Sequence, residues 1–398
     1  MPHRKTFQES MALVRLPSTP PPPLATPPDS TITRFMSTSG PWLPGADVDA
    51  EIRRLRASLP GKSALSGLPS HAAAFGGHVY AQSVLAVCQT LEETVAQDRL
   101  GLHTIHGYFT AVGRPDRPFI YEVAVLTRGR TFLTARVEAR QPLSPSRHAV
   151  PGQATVADDA VFDVAHDLQG SKLGYVCYTA IVSFVLPRPH SLNANRQEEA
   201  VQRRFAAVLA QRAPAAWAPS PPIDIAVLIE ALDIRDVVGS FPMVDMKKVD
   251  LTAFNEDRPL HERRELILYR LLAPLPSVTA ADQNNHVLVH AYAADRNGLL
   301  MAANHLEFPL NDKTATMSNT FVVHTNVTDA QMTHRPDSET DTALEKGWWI
   351  QEVCFPRAAA GRAIILSKIW SPTGVHVATE YQDGLCMAME KMPFDSKL

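Results

Sequence analysis

Apolar and polar side chains alternate in two separate stretches of the chain, and the order of elements is the same in both. In the first stretch, residues 119–126, 129–139 and 175–185 have the period-two pattern of half-buried strands. In the second, residues 348–355, 361–371 and 375–385 repeat that order, and a Gly-Arg pair again opens the middle strand. One helical segment precedes each set. It covers 77–95, with Val84, Val87, Cys88, Leu91 and Val95 at helical spacing, and 285–299, with Val287, Leu288, Ala291 and Ala294. Each half thus predicts one helix followed by an antiparallel meander. A sheet of this length has one sticky face, which the helix covers, and pairing the two sheets edge to edge would hide exposed strand edges.

This pattern predicts an α+β fold of the double hotdog type: two tandem repeats, each of one central helix wrapped by a curved antiparallel sheet. The breaks in the pattern set the expected boundaries. Proline is frequent (32 residues) and concentrated in PSTPPPPLATPP, residues 17–28, so residues 1–45 are expected to form a disordered arm. The first hotdog domain is then 46–186, with the polar, aperiodic stretch 142–172 as a surface insertion. Residues 187–245, which contain PAAWAPSPP, are expected to be a linker, and 246–398 the second hotdog domain.

With 398 residues, 45% of them hydrophobic and 20% charged, the chain can bury real cores, which excludes global disorder and collagen-like or coiled-coil classes. A formal net charge of −3 and a pI near 6.6 give no electrostatic footprint for nucleic acid. Cys88, Cys177, Cys354 and Cys386 are scattered without metal-type spacing and are expected to be reduced. The longest apolar run, 175–187, is interrupted by Thr179 and Ser183 and is too short to span a bilayer. The N-terminus lacks the apolar core of a signal peptide and has only a weak transit-peptide character.

The common catalytic signatures are absent: there is no G-x-S-x-G, H-E-x-x-H, P-loop or G-x-G-x-x-G. His103 and His106 have metal-like spacing without an evident third ligand, and are expected to be strand histidines bonded to backbone. Phe75, Gly76 and Gly77 open the first helix, where backbone N–H groups could face an anion or a carbonyl oxygen, or simply make the turn into the helix.

FGGHVYAQSV, HTIHGYFTAVGRPDRPFIYEV and GRTFLTARVEARQ, followed by AYAADRN, TATMSNTFVVH and ATEYQDGL, resemble the type II acyl-CoA thioesterases in order and spacing, over about residues 65–141, 174–186 and 246–390. The resemblance implies a double hotdog that hydrolyses acyl-CoA to free acid and CoA. It also implies an Asp, a Thr and a Gln that hold the attacking water. By motif these are Asp295 in YAADRN, Thr316 in ATMSNT and Gln382 in YQDG. The trio makes chemical sense: a carboxylate can accept the water's proton, while a hydroxyl and an amide fix its orientation. The family pattern usually continues after that Thr with an Asp-His pair, where this chain has Ser318 and Asn319.

No organic cofactor or metal is implied, and CoA enters only as part of the substrate. Arg128, Arg130, Arg136 and Lys368 are candidates for meeting its phosphates. The chain ends in Ser396-Lys397-Leu398, the peroxisomal address read by a soluble import receptor, so a peroxisomal location is expected. Edge pairing of hotdogs leads to the expectation of a homo-oligomer. Two other readings stand beside hydrolysis: an acyl-CoA-binding protein without turnover, suggested by Ser318 and Asn319, and a thioesterase or acyltransferase dedicated to a specialised biosynthetic pathway.

Overall fold

The computed structural model describes residues 3–19, 31–58, 73–92, 100–150, 155–157, 159–189, 196–306, 311–334 and 347–388. The strands of the first half are β1 (Leu13–Thr19), β2 (Ile32–Ser37), β3 (Gly101–Phe109), β4 (Ile120–Arg128), β5 (Phe132–Arg140) and β6 (Tyr178–Val185). Those of the second are β7 (Ala218–Pro219), β8 (Val244–Lys248), β9 (Arg264–Leu271), β10 (Asn311–Val323), β11 (Trp349–Ala359), β12 (Arg362–Trp370) and β13 (His376–Ala388). All belong to one antiparallel sheet. Its seam is the pairing of β3 with β10, where Gly107 faces Asn319. Outward from the seam, one side runs β3, β6, β5, β4, β2, β1 and the other β10, β13, β12, β11, β9, β8, β7.

Three helices matter for the site: α1 (Gly76–Glu92), α2 (Ala280–Ala294) and α3 (Gly298–His305). Helix α1 lies between β2 and β3 in sequence and α2 between β9 and β10, so the two halves share one connectivity. The helices pack against each other and against the same face of the sheet, in one core that crosses the seam. α1 is buried on every side from Gly77 to Cys88, which is why its sequence is mostly apolar, with His78, Gln82 and Ser83 the buried polar exceptions. Val84, Val87 and Leu91 each contribute about 1.5–3 kcal/mol by burial. Thr279 starts α2 with a capping box to Asp282. The alternation expected for the meander strands is borne out: Leu133, Ala135, Val137 and Ala139 on β5, and Ala363, Ile365 and Ile369 on β12, point into the core.

Three expectations change. Residues 1–45 are not a disordered arm where they are described. Phe7–Met11 is a helical turn capped by Thr6 and Glu9, and β1 and β2 extend the sheet through β4, burying Leu16, Phe35 and Met36. Short strands beside a proline-rich stretch are too brief to show periodicity, and their pairing is non-local. The proline run itself, from 20 onward, lies outside the described residues. Nor is 187–245 a bare linker: Val201, Phe205, Leu209 and Trp217 pack on Leu266, Leu268, Trp348, Ile350 and Trp370, covering the sheet face that α2 does not reach. Residues 142–172 do the equivalent in the first half, where Phe162 packs on Leu16, Met36 and Ile120. Finally, the helix expected over 285–299 is broken after Ala294, because Asn297 adopts a left-handed conformation (φ 56°) before α3 begins. That break leaves Asp295 at a helix end.

Candidate active site

Asp295 caps the C-terminus of α2 and is 5% exposed. Its surroundings come from both halves of the chain. The first backbone N–H groups of a helix have no partner inside it, and the Gly77 N–H at the start of α1 donates to Asp295 Oδ2 at 2.5 Å. The anion that the Phe75-Gly76-Gly77 turn meets is therefore the protein's own carboxylate.

Thr316 and Gln382 reach the same point from the sheet. Met317 is the extra residue of a β-bulge between Thr316 and Ser318 on β10, which changes the parity of the strand. Thr316 and Asn319, three residues apart, consequently both face the helices. On β13, Gln382 lies opposite Asn319 and is 2% exposed. Its Nε2 donates to Thr316 Oγ1 at 2.7 Å and also to Asp295 Oδ1. Its Oε1 is buried without a partner. A side chain at Gly298 would come within 2.9 Å of that oxygen, so the glycine opening α3 keeps the space beside it clear. The three residues expected at the site are thus brought together.

The electrostatics suit a base. Burial pushes the Asp295 carboxyl up to about 7, against the opposing hydrogen bonds from the Gly77 N–H and the Thr316 hydroxyl. Glu380 lies two residues before Gln382 and is 1% exposed. Burial first, and then the charge of Asp295, hold it well above the usual carboxylate range, opposed by the hydrogen bond it shares with Tyr80. Neither Glu380 nor its Tyr80 partner was foreseen. A signal was available, since a strand with Gln382 on its inner face must turn Glu380 inward as well.

Asn319 is 1% exposed; its Oδ1 accepts from the Tyr178 phenol at 3.1 Å and its Nδ2 has no partner. The phenol occupies the space a side chain at Gly107 would need. The other candidates lie elsewhere. Arg128 and Arg130 are at the β4–β5 turn, level with Gly101 at the far end of β3 from the site, because Phe132 pairs with Val185 and Val185 with Gly101. Arg136 and Lys368 point to the outer face, paired with Glu138 and Glu198. His103 and His106 bond to the hydroxyls of Ser183 and Thr320 at 3.1 and 3.2 Å, rather than to backbone. Among the described residues no group of three or more His, Cys, Asp or Glu could hold a metal ion, and no helix is long and apolar enough to cross a membrane.

A sheet wrapped on central helices, with a carboxylate, a hydroxyl and an amide joined at the helix end, has the architecture of a hotdog-fold protein. Residues 66–157 match the family model of the acyl-CoA thioesterase N-terminal domain. Acyl-CoA thioesterase 2 of Haemophilus influenzae is 43% identical over 67 residues, which are 17% of this chain and 22% of that protein. The match therefore spans less than a quarter of the length of that curated relative.

Two solved structures resemble the whole chain. One, provisionally named a thioesterase II, from Thermobifida fusca, has a TM-score of 0.51 at 13% identity and covers 97% of this chain and 99% of its own. The other, a protein of unknown function with a hot dog fold from Alicyclobacillus acidocaldarius, has a TM-score of 0.50 at 13% identity over 96% and 98% of the two chains. At such identities the likeness shows the fold alone.

Proposed function

We propose that this protein is a double-hotdog hydrolase that cleaves acyl-CoA thioesters by direct attack of water. The observation that carries the reading is the bridging amide of Gln382. Its N–H group ties Asp295 to Thr316, while its Oε1, buried and unpartnered, is left to accept a hydrogen bond from a water molecule. Asp295, with its pKa near neutrality, takes a proton from that water. The resulting hydroxide adds to the thioester carbonyl carbon, the C–S bond breaks, and the departing thiolate of CoA takes the proton back from Asp295, which restores the base as the acid leaves. No covalent attachment to the protein is needed, because a thioester carbonyl has little resonance stabilisation. The match of residues 66–157 to the acyl-CoA thioesterase domain supports the substrate class.

Thiol release from a panel of acyl-CoAs of increasing chain length tests the reading. Turnover that saturates with one or more of them is the expected result. Saturable binding of acyl-CoA without thiol release would replace it with the non-hydrolytic reading, which the uncharged Ser318 and Asn319 favour. Free carboxylic acid should be the product even with alcohol or amine acceptors present; transfer to an acceptor would instead make the protein an acyltransferase.

We further propose that Ser396-Lys397-Leu398, which lie outside the described residues, direct the protein to peroxisomes. Deleting these three residues should leave turnover intact and move the protein to the cytosol; peroxisomal retention of the shortened chain would sink the idea.

A further inference from the structure

The Tyr80 phenol has two buried neighbours and one proton. Tyr80, on α1, reaches the carbonyl oxygen of Ala291 and lies 2.8 Å from Glu380 Oε1. Tyr80 and Glu380 are 0% and 1% exposed, so water cannot take over either bond. The Ala291 carbonyl belongs to the last turn of α2, and a carbonyl can only accept. The phenolic proton therefore goes to Ala291, and the second hydrogen bond needs a proton from Glu380. An ionised Glu380 would compete for the phenolic proton and strand a buried acceptor. The titratable groups facing Glu380 are Tyr80 from α1, Asp295 from the end of α2 and Tyr178 from β6, and none of them is a cation.

We propose that Glu380 is a positioning residue of the site and works in its protonated form. It donates its proton to Tyr80, so that β13 and the last turn of α2 are held in register. This rests on Asp295 being the base. The geometry then divides the labour between two buried carboxyls. Glu380 keeps its proton, and Asp295 is left as the one that ionises. The chain of bonds from Glu380 through Tyr80 to Ala291 joins the strand carrying Gln382 to the helix ending at Asp295. It fixes the distance across which the Gln382 amide must bridge. The direction of the Glu380 shift, raised by burial and by Asp295, agrees.

The test uses the purified full-length chain, with thiol release from octanoyl- and palmitoyl-CoA followed as a function of pH. Glu380→Ala and Tyr80→Phe should each lower kcat about tenfold with little change in KM, because small displacements of an assembled site are costly. Glu380→Gln supplies an N–H donor without charge and should recover most of the loss, with the acid limb of the profile in its wild-type position. Infrared spectra at a pH above that limb should show the carbonyl band of an un-ionised carboxylic acid in the wild type and its loss in Glu380→Gln. An acid limb displaced downward by about one unit or more in Glu380→Gln would mean that a charge had been removed from beside Asp295. That result, or the absence of the infrared band, would overturn the proposal. Should the wild type release no thiol from any acyl-CoA, the thioesterase reading fails, while the infrared band still decides the state of Glu380.

Discussion

Asp295→Asn should lower kcat for thioester hydrolysis by at least ~100-fold and leave KM nearly unchanged, because the carboxylate acts on water rather than on the bound acyl-CoA. A positioned base is worth roughly 10²- to 10⁴-fold, and the amide keeps the shape of the side chain while losing its basicity. Gln382→Ala and Thr316→Ala should act in the same direction. Because one amide touches both of the other groups, the double mutants should lose less than the product of the singles. In the wild type, kcat should rise with pH through about 7, as the Asp295 carboxyl ionises. A burst of CoA release, or an acyl adduct on Thr316 trapped in Gln382→Ala, would point to a covalent route and overturn direct hydrolysis.

The same ionisation has a stability counterpart whose sign is fixed. An unfolded Asp titrates near about 4, and Asp295 in the folded chain at about 7. The folded state therefore binds the extra proton across that window, and stability falls as pH rises through it. Glu380, also raised, adds a term of the same sign. Urea midpoints of the wild type measured across the window should show the decline, and Asp295→Asn should flatten it.

Lys248→Met should cost up to about 3–5 kcal/mol of stability, because half-buried Lys248 is the cation of two buried carboxylates and its loss leaves their charge uncompensated. Lys248 Nζ lies 2.9 and 3.1 Å from the two carboxylate oxygens of Asp224 and 3.5 Å from Glu265 Oε2. Burial alone would lower its pKa, but the two carboxylates outweigh that and hold it above the usual lysine value. Asp224 also accepts from Asn304 Nδ2 at 3.2 Å, and His305 Nε2 lies 2.8 Å from Glu265 Oε1. The network thus pins the segment before β8 to β9 and to the end of α3. Methionine would leave two carboxylates buried without their cation. Urea unfolding should show the loss, and adding Asp224→Asn should restore part of it, since the two sites are coupled. An unchanged midpoint in Lys248→Met would show that the network adds nothing to stability.

The parts of the fold legible in the sequence are those in which one-sided burial leaves a local period. Val137 and Ala139 on β5 alternate with Arg136, Glu138 and Arg140 because the strand has one core face, and α1 is rich in apolar residues because it has no solvent face. Asp295, Thr316 and Gln382 could be singled out by their motifs, and the structure brings those three side chains together. Periodicity could not reveal that β1 and β2 join the sheet, since their evidence is a pairing with β4 some 85 residues away rather than a pattern of their own. Nor could it place the bulge at Met317 that turns Thr316 and Asn319 to one face. The sequence by itself determined the two sets of strands and helices and the chemical types at the candidate site. Only the tertiary structure decided that the Gly77 amide meets Asp295 across 218 residues and that Glu380 shares its pocket. Hydrogen bonding and desolvation depend on which groups the folded chain brings within a few ångströms, and no spacing along the sequence records that.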